Sequence, residues 1–433
     1  MRMLMRIAAS LVLAVAVGFL AAFMYLGGAP PAREQAQPGA GFAAVPGAVG
    51  GQDMFGAYEV VVGWPKDIST LPGHEKWTWG AAQGVFAESP NRVYLLFRGE
   101  LPVLPRPATR LLPEIGPSIQ FPINRLPFRD ATQSSLPGPG TAGFEPEDSM
   151  KAWKGVKGVD ARWEHVLTVV DANGNQVEAW TQWDKLIKNP HSINVNPYDS
   201  QKHVWVVDDF SHVLLKFTND GKQLVQTLGT PNAKGADATH FNRATFVTWL
   251  PDSTMLVSDG YNGTRVAKFD KDGKFLMDWG QKGTPPNETR PGYLNNVHGI
   301  AVDPETRRVF VNDRANRRIQ VFDENGKYLH EWSIGQPPAE IHLIYIGADR
   351  NLWAYDRATA KMLKYDPDGH LLYSWGTWGD FPGAFWGVHG LSVDQEQNLY
   401  LSDVDTGRAQ KYRPRAGVNP AFLVAKPVYA AWQ

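Results

Sequence analysis

The sequence predicts an all-β protein, a six-bladed β-propeller with an N-terminal membrane anchor or signal helix, and three observations support the propeller. Beyond residue 55 the apolar residues follow the period of strands. A pattern of strand, turn and strand recurs about every 40–55 residues, which is typical of propeller blades. The segment AYEVVVGW (57–64) fits the outer strand of this pattern but precedes the first repeat. It can therefore complete the last blade and close the ring, which leaves no open sheet edge.

Residues 1–28 are predicted to form a transmembrane anchor or a signal peptide. Ile7–Leu26 is an apolar run of 20 residues that two arginines precede. About 20 apolar residues span the hydrocarbon core of a bilayer, whereas the apolar part of a cleaved signal peptide is shorter. An uncleaved anchor is the favoured interpretation, and GGAPPA (27–32) is the alternative cleavage site.

The rest of the chain is predicted to be exported to the periplasmic or extracellular face. Positive charges that precede an apolar helix stay in the cytoplasm, so the chain beyond the helix crosses the membrane. Residues 29–54 are rich in Gly, Ala and Pro and are typical of a flexible linker. The propeller is expected over residues 55–433, with membrane contact only through the N-terminal helix.

The second half of the repeat is the clearest part of the pattern. Near copies of it are KFDKDGKFLMDWG (268–280), VFDENGKYLHEWS (321–333) and KYDPDGHLLYSWG (364–376), and VVDANGNQVEAWTQ (169–182) and KFTNDGKQLVQTLG (216–229) are weaker members. Each of the near copies has an Asp-Gly or Asn-Gly turn and then a strand that ends in Trp or just after it. These dipeptides supply the positive φ that tight hairpin turns require.

The first half of the repeat places a strand before an Asp and allows the blades to be counted. Six such units begin near Gly84, His191, Ala244, His298, His342 and His389. A Pro-rich segment over about 101–161 interrupts the first unit and is expected to form a surface flap inserted in blade one.

Composition restricts the function. The 433 residues include 43 Lys and Arg and 44 Asp and Glu, for a formal net charge of −1, so there is no basic field of the kind that binds nucleic acid. The chain has no cysteine. Disulfides and thiolate metal sites are therefore excluded, and any metal must be held by His, carboxylates or carbonyls.

Three histidines occupy one position in alternate blades. His191, His298 and His389 precede the closing Asp of their repeats by 17, 15 and 14 residues. Alternate blades of a six-fold ring present this position with approximate three-fold symmetry, so three imidazoles could hold one zinc ion and leave a fourth position open. The alternative is a hydrogen-bonding role at the rim. His342 shares the position in blade five, and symmetry alone does not exclude it. The other histidines are off this position and are expected to be surface or structural residues: His74, His165, His203, His212, His240, His330 and His370.

A second set of residues follows the closing Asp and is expected at the same mouth of the channel. Arg98, Arg314 and Arg357 occupy this position in blades one, four and five, although Phe97 replaces the Asp before Arg98. In blade three, SDGYNGTR presents Tyr261 two residues after its Asp. Guanidinium groups beside a metal indicate an anionic, carboxylate ligand, because Arg pairs carboxylates through two hydrogen bonds. For Arg357 alone, an Arg–Asp network at the rim is the favoured interpretation.

Together these residues resemble the peptidyl-α-hydroxyglycine α-amidating lyase family, the lyase half of peptidylglycine α-amidating enzymes. That family is a six-bladed propeller of NHL-type repeats with zinc held by three histidines. SDGYNGTRVAKFDKDGKFLMDWG resembles its catalytic-tyrosine segment, which implies that role for Tyr261. NVHGIAVDPETRRVFVNDRANRRIQVFD resembles the segment with one zinc ligand and a catalytic arginine, here His298 and Arg314. LLFRGE resembles the first-blade arginine motif and implies Arg98.

The resemblance also assigns the remaining zinc ligands. NPHSINV and GVHGLSV match the other two zinc positions and imply His191 and His389, whereas His342 has no counterpart. The likeness extends over about residues 55–415. The chain departs from the family where Asn262 replaces a cysteine beside the catalytic tyrosine. Gly390 replaces a calcium-binding Asp, which puts calcium in doubt, and Gly387 replaces a Met, which is expected to widen the pocket.

The reaction that the resemblance implies is cleavage of an N-acyl-α-hydroxyglycine, a carbinolamide, to an amide and glyoxylate. Tyr261 would be the base, and Arg98 and Arg314 would bind the carboxylate and stabilise charge. The substrate would be a small molecule or a peptide with an α-hydroxyglycine-like end. No copper monooxygenase domain precedes the propeller, so a separate hydroxylating enzyme is expected to supply that substrate.

Two other functions are compatible with the sequence. The first is a non-catalytic NHL-type propeller that binds a protein or glycan partner. The second is a metal-dependent hydrolase of the lactonase kind, although lactonase propellers use carboxylate and Asn ligands that have no evident place here.

Overall fold

The computed structural model describes residues 52–53, 55–103, 109–111, 120–122 and 158–428. The predicted N-terminal helix over 1–28 lies outside these residues, as does nearly all of the linker. None of the helices that are described is long and apolar enough to cross a membrane. The described residues form six antiparallel blades, and the first strand of each blade contacts the first strand of the next, from blade six back to blade one. The six-bladed propeller is therefore confirmed.

Each blade contains four strands in chain order, except where the ring closes. Blade one consists of Ala82–Ser89, Arg92–Phe97, Leu167–Val170 and Gln176–Ala179; blade two of Pro190–Val195, Val204–Asp208, Val213–Phe217 and Leu224–Leu228; and blade three of Ala244–Trp249, Met255–Asp259, Arg265–Phe269 and Phe275–Trp279. Blade four consists of Val297–Val302, Val309–Asp313, Arg318–Phe322 and Tyr328–Ser333; blade five of Ile341–Ile346, Leu352–Asp356, Lys361–Tyr365 and Leu371–Trp375; and blade six of Val388–Val393, Leu399–Asp403, Arg408–Pro414 and Tyr58–Val60.

The remaining described elements are short. Gln52–Asp53 pairs in parallel with the outer strand of blade five. Two-stranded pairs are formed by Trp77–Trp79 with Glu100–Pro102, Thr109–Leu111 with Gln120–Pro122, and Gln281–Lys282 with Tyr293–Leu294. The described helices are single 3-10 turns: Ile68–Thr70, Thr181–Trp183, Arg314–Asn316 and Pro420–Phe422.

Blade six is closed by the N-terminal strand, as the sequence predicts. Tyr58–Val60 pairs antiparallel with Arg408–Pro414, with Tyr58 opposite Pro414. The Tyr58 side chain is buried, and its hydroxyl accepts the backbone N–H of Val424 at 2.8 Å. The strand is shorter than the predicted segment, because the chain turns away from the blade after Val61, whose N–H still reaches the Lys411 carbonyl. The outer edge of the last blade is thereby paired.

Neighbouring blades interlock through the two most regular features of the repeat. The predicted turns form, and their glycines adopt positive φ, +78° at Gly326 and +93° at Gly369. A Cβ on Gly326 would lie 2.7 Å from the ring of Trp279, and one on Gly369 would lie 2.5 Å from the ring of Trp332. Each repeat Trp therefore packs on the bare turn of the following blade. Only glycine allows this approach, because any side chain would occupy the place of the indole.

The hydrophobic core is divided into layers between adjacent blades. One layer joins Trp205 and Val207 of blade two to Val247 and Met255 of blade three. All four side chains are buried, and full burial of an aliphatic side chain contributes about 1.5–3 kcal/mol. The layers hold the first strands in fixed positions around the channel.

The predicted insertion lies between the second and third strands of blade one. The second strand ends at Phe97 and the third begins at Leu167. The first residues after Phe97 remain close to the propeller, since Glu100–Pro102 pairs antiparallel with Trp77–Trp79. Most of the segment at 101–161 is outside the described residues.

Candidate active site

The three histidines predicted as zinc ligands come together inside the ring. The ring centroid of His191 is 5.0 Å from that of His298 and 4.6 Å from that of His389, and the last two are 5.1 Å apart. Their candidate ligand nitrogens all lie within 4.8 Å of one another. All three side chains are buried. Convergence of this kind follows from the fold, because the same position of alternate first strands points to the channel.

Neighbouring first strands orient two of these imidazoles. Nδ1 of His389 donates to the carbonyl of Gln83 at 2.8 Å, and Nδ1 of His298 donates to the carbonyl of His342. A carbonyl can only accept, so the proton is on Nδ1 and the lone pair is on Nε2. Nε2 of His389 is buried and has no hydrogen-bond partner among the described residues. Outer hydrogen bonds of this type are those that orient metal-binding imidazoles.

The charge state of the cluster also suits a metal ion. Burial lowers the pKa of His191, His298 and His389 well below the ordinary value, and the neighbouring imidazoles and guanidinium groups lower it further. The imidazoles are therefore neutral at physiological pH, which is the form that binds metal. Three neutral nitrogens with one unpartnered lone pair fit a divalent transition metal ion.

Tyr261 places its hydroxyl beside the same nitrogens. The hydroxyl oxygen is 3.1 Å from Nε2 of His191 and 3.1 Å from Nε2 of His298. The loop that carries Tyr261 is tight because Gly260 has no side chain: a Cβ there would lie 1.7 Å from the carbonyl oxygen of Val297. The backbone N–H of Tyr261 donates to the Arg243 carbonyl at 3.0 Å, which holds the loop against blade three.

Arginines surround the tyrosine ring. The guanidinium of Arg314 is 5.3 Å from the ring centroid of Tyr261, and that of Arg243 is 4.6 Å from it. Arg243 also pairs with Asp209 through two hydrogen bonds of 3.0 and 2.7 Å. Arg98 is buried, which lowers its pKa, and its Nε has no hydrogen-bond partner among the described residues. The charges of Asp209 and Tyr261 act on Arg98 in the opposite direction.

Two residues of this site are not identified from the sequence. Arg243 directly precedes the first strand of blade three, whereas the sequence pattern singles out only cations that follow a closing Asp. Phe246 lies on that first strand, and its ring centroid is 5.1, 5.3 and 5.4 Å from those of His191, His298 and His389. Its ring therefore lies next to all three imidazoles. Its near-equal distance to three blades is a tertiary relation that no local pattern shows.

His342 is close to the cluster but does not join it. Its ring centroid is 5.9 Å from that of His298 and 6.0 Å from that of His389. Its Nε2 is 3.4 Å from a carboxylate oxygen of Glu340, which in turn is 3.8 Å from Arg314. The group of histidines whose ligand atoms converge does not include it.

The glycines near His389 do not open space in the way that the sequence suggests. A Cβ on Gly387 would lie 2.4 Å from Oδ2 of Asp405, so the carboxylate fills the volume beside this glycine, and the expected wider pocket is wrong there. Arg357 pairs with the same Asp405 at 2.6 Å, in agreement with the rim ion pair favoured from the sequence. A Cβ on Gly390 would lie 2.4 Å from the Ser402 hydroxyl. A side chain at position 390 would therefore have to displace this hydroxyl.

No family model matches the chain, but comparison with individual proteins places it in a family. It is 32% identical over 259 residues to NHL repeat-containing protein 3 of Homo sapiens, a match that covers 55% of this chain and 71% of that protein. Together with the propeller, this similarity defines the chain as an all-β protein of NHL-type repeats. The chain belongs to the family of NHL repeat-containing protein 3.

Other relatives are named as amidating monooxygenases or amidating lyases. The chain is 30% identical over 168 residues to Peptidylglycine alpha-amidating monooxygenase of Rattus norvegicus, covering 38% of this chain and 16% of that protein. It is 30% identical over 170 residues to Peptidyl-alpha-hydroxyglycine alpha-amidating lyase 1 of Drosophila melanogaster, covering 38% of this chain and 30% of that protein. The chain thus spans less than a fifth of the length of the monooxygenase. Among solved structures, it is similar to a streptogramin B lyase at 12% identity and a TM-score of 0.43, over 78% of this chain and 94% of that one.

Proposed function

We propose that the protein is a zinc-dependent lyase that cleaves an N-acyl-α-hydroxyglycine to an amide and glyoxylate. The observation that carries the proposal is the Tyr261 hydroxyl, 3.1 Å from Nε2 of two of the three converging imidazoles. Partial similarity to proteins named as amidating lyases supports the same class of reaction. His191, His298 and His389 would hold the zinc ion, which would act as a Lewis acid and lower the pKa of the substrate hydroxyl.

Tyr261 is the proposed base. It would accept the proton of the substrate hydroxyl, so that the C–O bond becomes the carbonyl of glyoxylate while the C–N bond breaks. The leaving nitrogen would then take up this proton from Tyr261, and the amide is released. Arg243 and Arg314, at 4.6 and 5.3 Å from the ring centroid, would stabilise negative charge on the phenol oxygen.

Arg98 and Arg314 are proposed to bind the substrate carboxylate. Arg98 is buried and makes no ion pair within 4.0 Å among the described residues. A buried guanidinium without a carboxylate partner is costly, and a carboxylate that pairs with it through two hydrogen bonds offsets that cost. Arg314 is only loosely engaged, 3.8 Å from Glu340, and is therefore available to the same ligand.

The substrate is proposed to reach the propeller outside the cytoplasm. The substrate would be a small molecule or peptide with an α-hydroxyglycine end, and a separate hydroxylating enzyme is proposed to supply it. Export through the N-terminal residues 1–28, with or without retention as an anchor, follows from their apolar run and preceding arginines.

The decisive test compares Tyr261→Phe with the wild type. We expect the rate of glyoxylate release from a small N-acyl-α-hydroxyglycine to fall at least about 100-fold, because a positioned base contributes on the order of 10²–10⁴, while the zinc content is unchanged. Tyr328→Phe, in the outer strand of blade four, is the matched control and should retain full activity. Undiminished turnover in Tyr261→Phe would remove the proposed base.

A non-catalytic propeller that binds a protein or glycan partner is the second candidate. The match to NHL repeat-containing protein 3, which extends over 71% of that protein, is compatible with it, because that name describes the repeats and no reaction. Wild-type protein that binds no zinc and releases no glyoxylate would support this function. Turnover of a lactone in the same assay would instead indicate a hydrolase.

A further inference from the structure

A second cluster of metal-type side chains lies outside the channel site. Nδ1 of His74 is 2.9 Å from one oxygen of Glu100, and Nδ1 of His165 is 2.7 Å from the other. The two imidazole centroids are 4.9 Å apart. With Glu164, the candidate ligand atoms of these residues all lie within 4.8 Å of one another. The sequence pattern predicts only surface or structural roles for both histidines.

Glu100 is the unusual member of the cluster. Its side chain is fully buried, at 0% exposure. Among the described residues its ion-pair partners are His74 and His165 alone, and neither Lys nor Arg approaches it within 4.0 Å. A buried carboxylate requires a compensating positive charge, which neutral imidazoles do not supply.

A divalent cation would compensate the buried charge of Glu100 more completely than a proton shared between Glu100 and an imidazole. Two imidazole nitrogens and a buried carboxylate, with an exposed carboxylate as fourth ligand, form a ligand set that zinc binds in proteins. Ligands about 2 Å from a common ion lie within about 4 Å of one another, so small side-chain rotations suffice. Each imidazole would then turn the Nδ1 lone pair to the ion and carry its proton on Nε2.

We propose that His74, Glu100 and His165, with Glu164 as the fourth ligand, form a second and structural binding site for a divalent transition metal ion such as zinc. The ion would join three segments that are distant in sequence: the loop before blade one, the strand after Arg98, and the return of the insertion to the propeller. This inference does not depend on the proposed lyase activity, since none of its ligands belongs to the channel cluster.

The backbone around Glu100 shows what such an ion would stabilise. Glu100 and Arg162 exchange hydrogen bonds of 2.8 and 2.9 Å. Between Glu100 and Arg98, Gly99 has φ +66°, and a Cβ on it would lie 2.2 Å from the Arg162 carbonyl oxygen. The segment that carries Arg98 is therefore pressed against the return of the insertion. A metal ion at Glu100 would fix this contact two residues from Arg98.

The test measures zinc bound to the full chain after dialysis against a weak chelator. We expect His165→Gln to lower the zinc content by about one ion per chain relative to the wild type. His298→Gln should remove only the channel ion and retain the ion at Glu100. The matched control is His370→Gln, which alters another histidine–carboxylate pair, with Asp366 at 2.7 Å, and should leave the zinc content unchanged.

Each outcome of this measurement decides the proposal. Equal zinc content in the wild type and in His165→Gln would overturn it, and the cluster would then be a hydrogen-bonded pair of imidazoles on one carboxylate. If His165→Gln does not fold, the folded His298→Gln protein decides: one retained ion that His74→Gln then removes supports the site, and no retained ion overturns it. A wild-type protein with a single ion that His74→Gln removes and His298→Gln retains would count against the lyase and not against this site.

Discussion

At the scale of single residues, the candidate site depends on the direction in which each imidazole points. At both His298 and His389, a carbonyl in the first strand of the next blade accepts from Nδ1. Nε2 of His389 is left without a hydrogen-bond partner among the described residues. The three histidines could be found from the sequence because their distance to the closing Asp is almost constant. Arg243 and Phe246 could not, because their place in the site depends on loop conformation and on which strands become neighbours.

The buried histidines predict a pH dependence of stability. Burial lowers the pKa of His191, His298 and His389 below the value of the unfolded chain. At a pH between the folded and the unfolded pKa, the unfolded state binds more protons than the folded state. The contribution of these groups to stability is therefore fully present above the unfolded pKa of about 6.5 and is lost as the pH falls below it. At pH 5.5 each group lowers the free energy of unfolding by about 1.4 kcal/mol, and the three together lower it by on the order of 4 kcal/mol.

The measurement is urea unfolding of the metal-free protein at pH 7.5 and pH 5.5. His298→Gln removes one of the three titrating groups and should reduce the loss by about a third. His370→Gln, at an exposed position, should leave the loss unchanged. The same loss in His298→Gln as in the wild type would contradict the assignment of the effect to the channel cluster.

At the scale of elements, the repeat works through contacts between blades. The Trp that ends one outer strand packs on the turn glycine of the next blade, as Trp279 does on Gly326. Both residues are visible in the sequence as parts of near-identical segments. Their mutual contact is not, because the two belong to successive copies and each copy reads locally as a complete hairpin.

Replacement of a turn glycine tests this contact. In Gly326→Ala the new Cβ would lie 2.7 Å from the Trp279 ring at φ +78°, so both strain and collision oppose it. Gly292→Ala is the matched control, since its φ is +75° and nothing lies within 4 Å. We expect Gly292→Ala to cost about 1–2 kcal/mol from backbone strain alone and Gly326→Ala about 1–3 kcal/mol more from overpacking.

Chemical denaturation of the two variants measures the difference directly. An equal free energy of unfolding for Gly326→Ala and Gly292→Ala would mean that the indole moves aside at no cost. The interlock between blades would then contribute nothing to stability.

At the scale of the whole molecule, closure of the ring joins the two ends of the propeller sequence. The six repeats and the N-terminal outer strand could be predicted by counting, because an incomplete last repeat and an extra first strand complement each other. The insertion in blade one could be located but not described from its sequence, since Pro-rich segments lack a period that defines strands. The cluster around Glu100 could not be predicted, because its ligands come from three segments outside the repeat that only the fold brings together.

The closing strand predicts an asymmetry between equivalent positions. Tyr58 and Tyr328 both begin an outer strand opposite the end of the third strand of their blades. Tyr58 is buried at 1% exposure and its hydroxyl accepts from Val424. We expect Tyr58→Ala to cost about 3–5 kcal/mol, as for other large aromatic truncations in a core, and to cause aggregation through the exposed edge of blade six.

Tyr328→Ala is the control for this prediction and should cost less, because Tyr328 is only partly buried and its blade is continuous in sequence. Thermal unfolding and light scattering measure the two effects. Equal stability of the two variants, without aggregation of Tyr58→Ala, would show that the closing strand is dispensable.

The pairing of Tyr58–Val60 with Arg408–Pro414 also determines when the propeller ring can close during translation. The ribosome makes the outer strand of blade six before every other strand of that blade, and its partner emerges only after blades one to five. At about 5–20 residues per second, the early strand waits on the order of tens of seconds for its place. Completion of the ring is therefore a late event of biosynthesis, and a nascent chain stalled before Arg408 exposes an unmatched strand at its beginning.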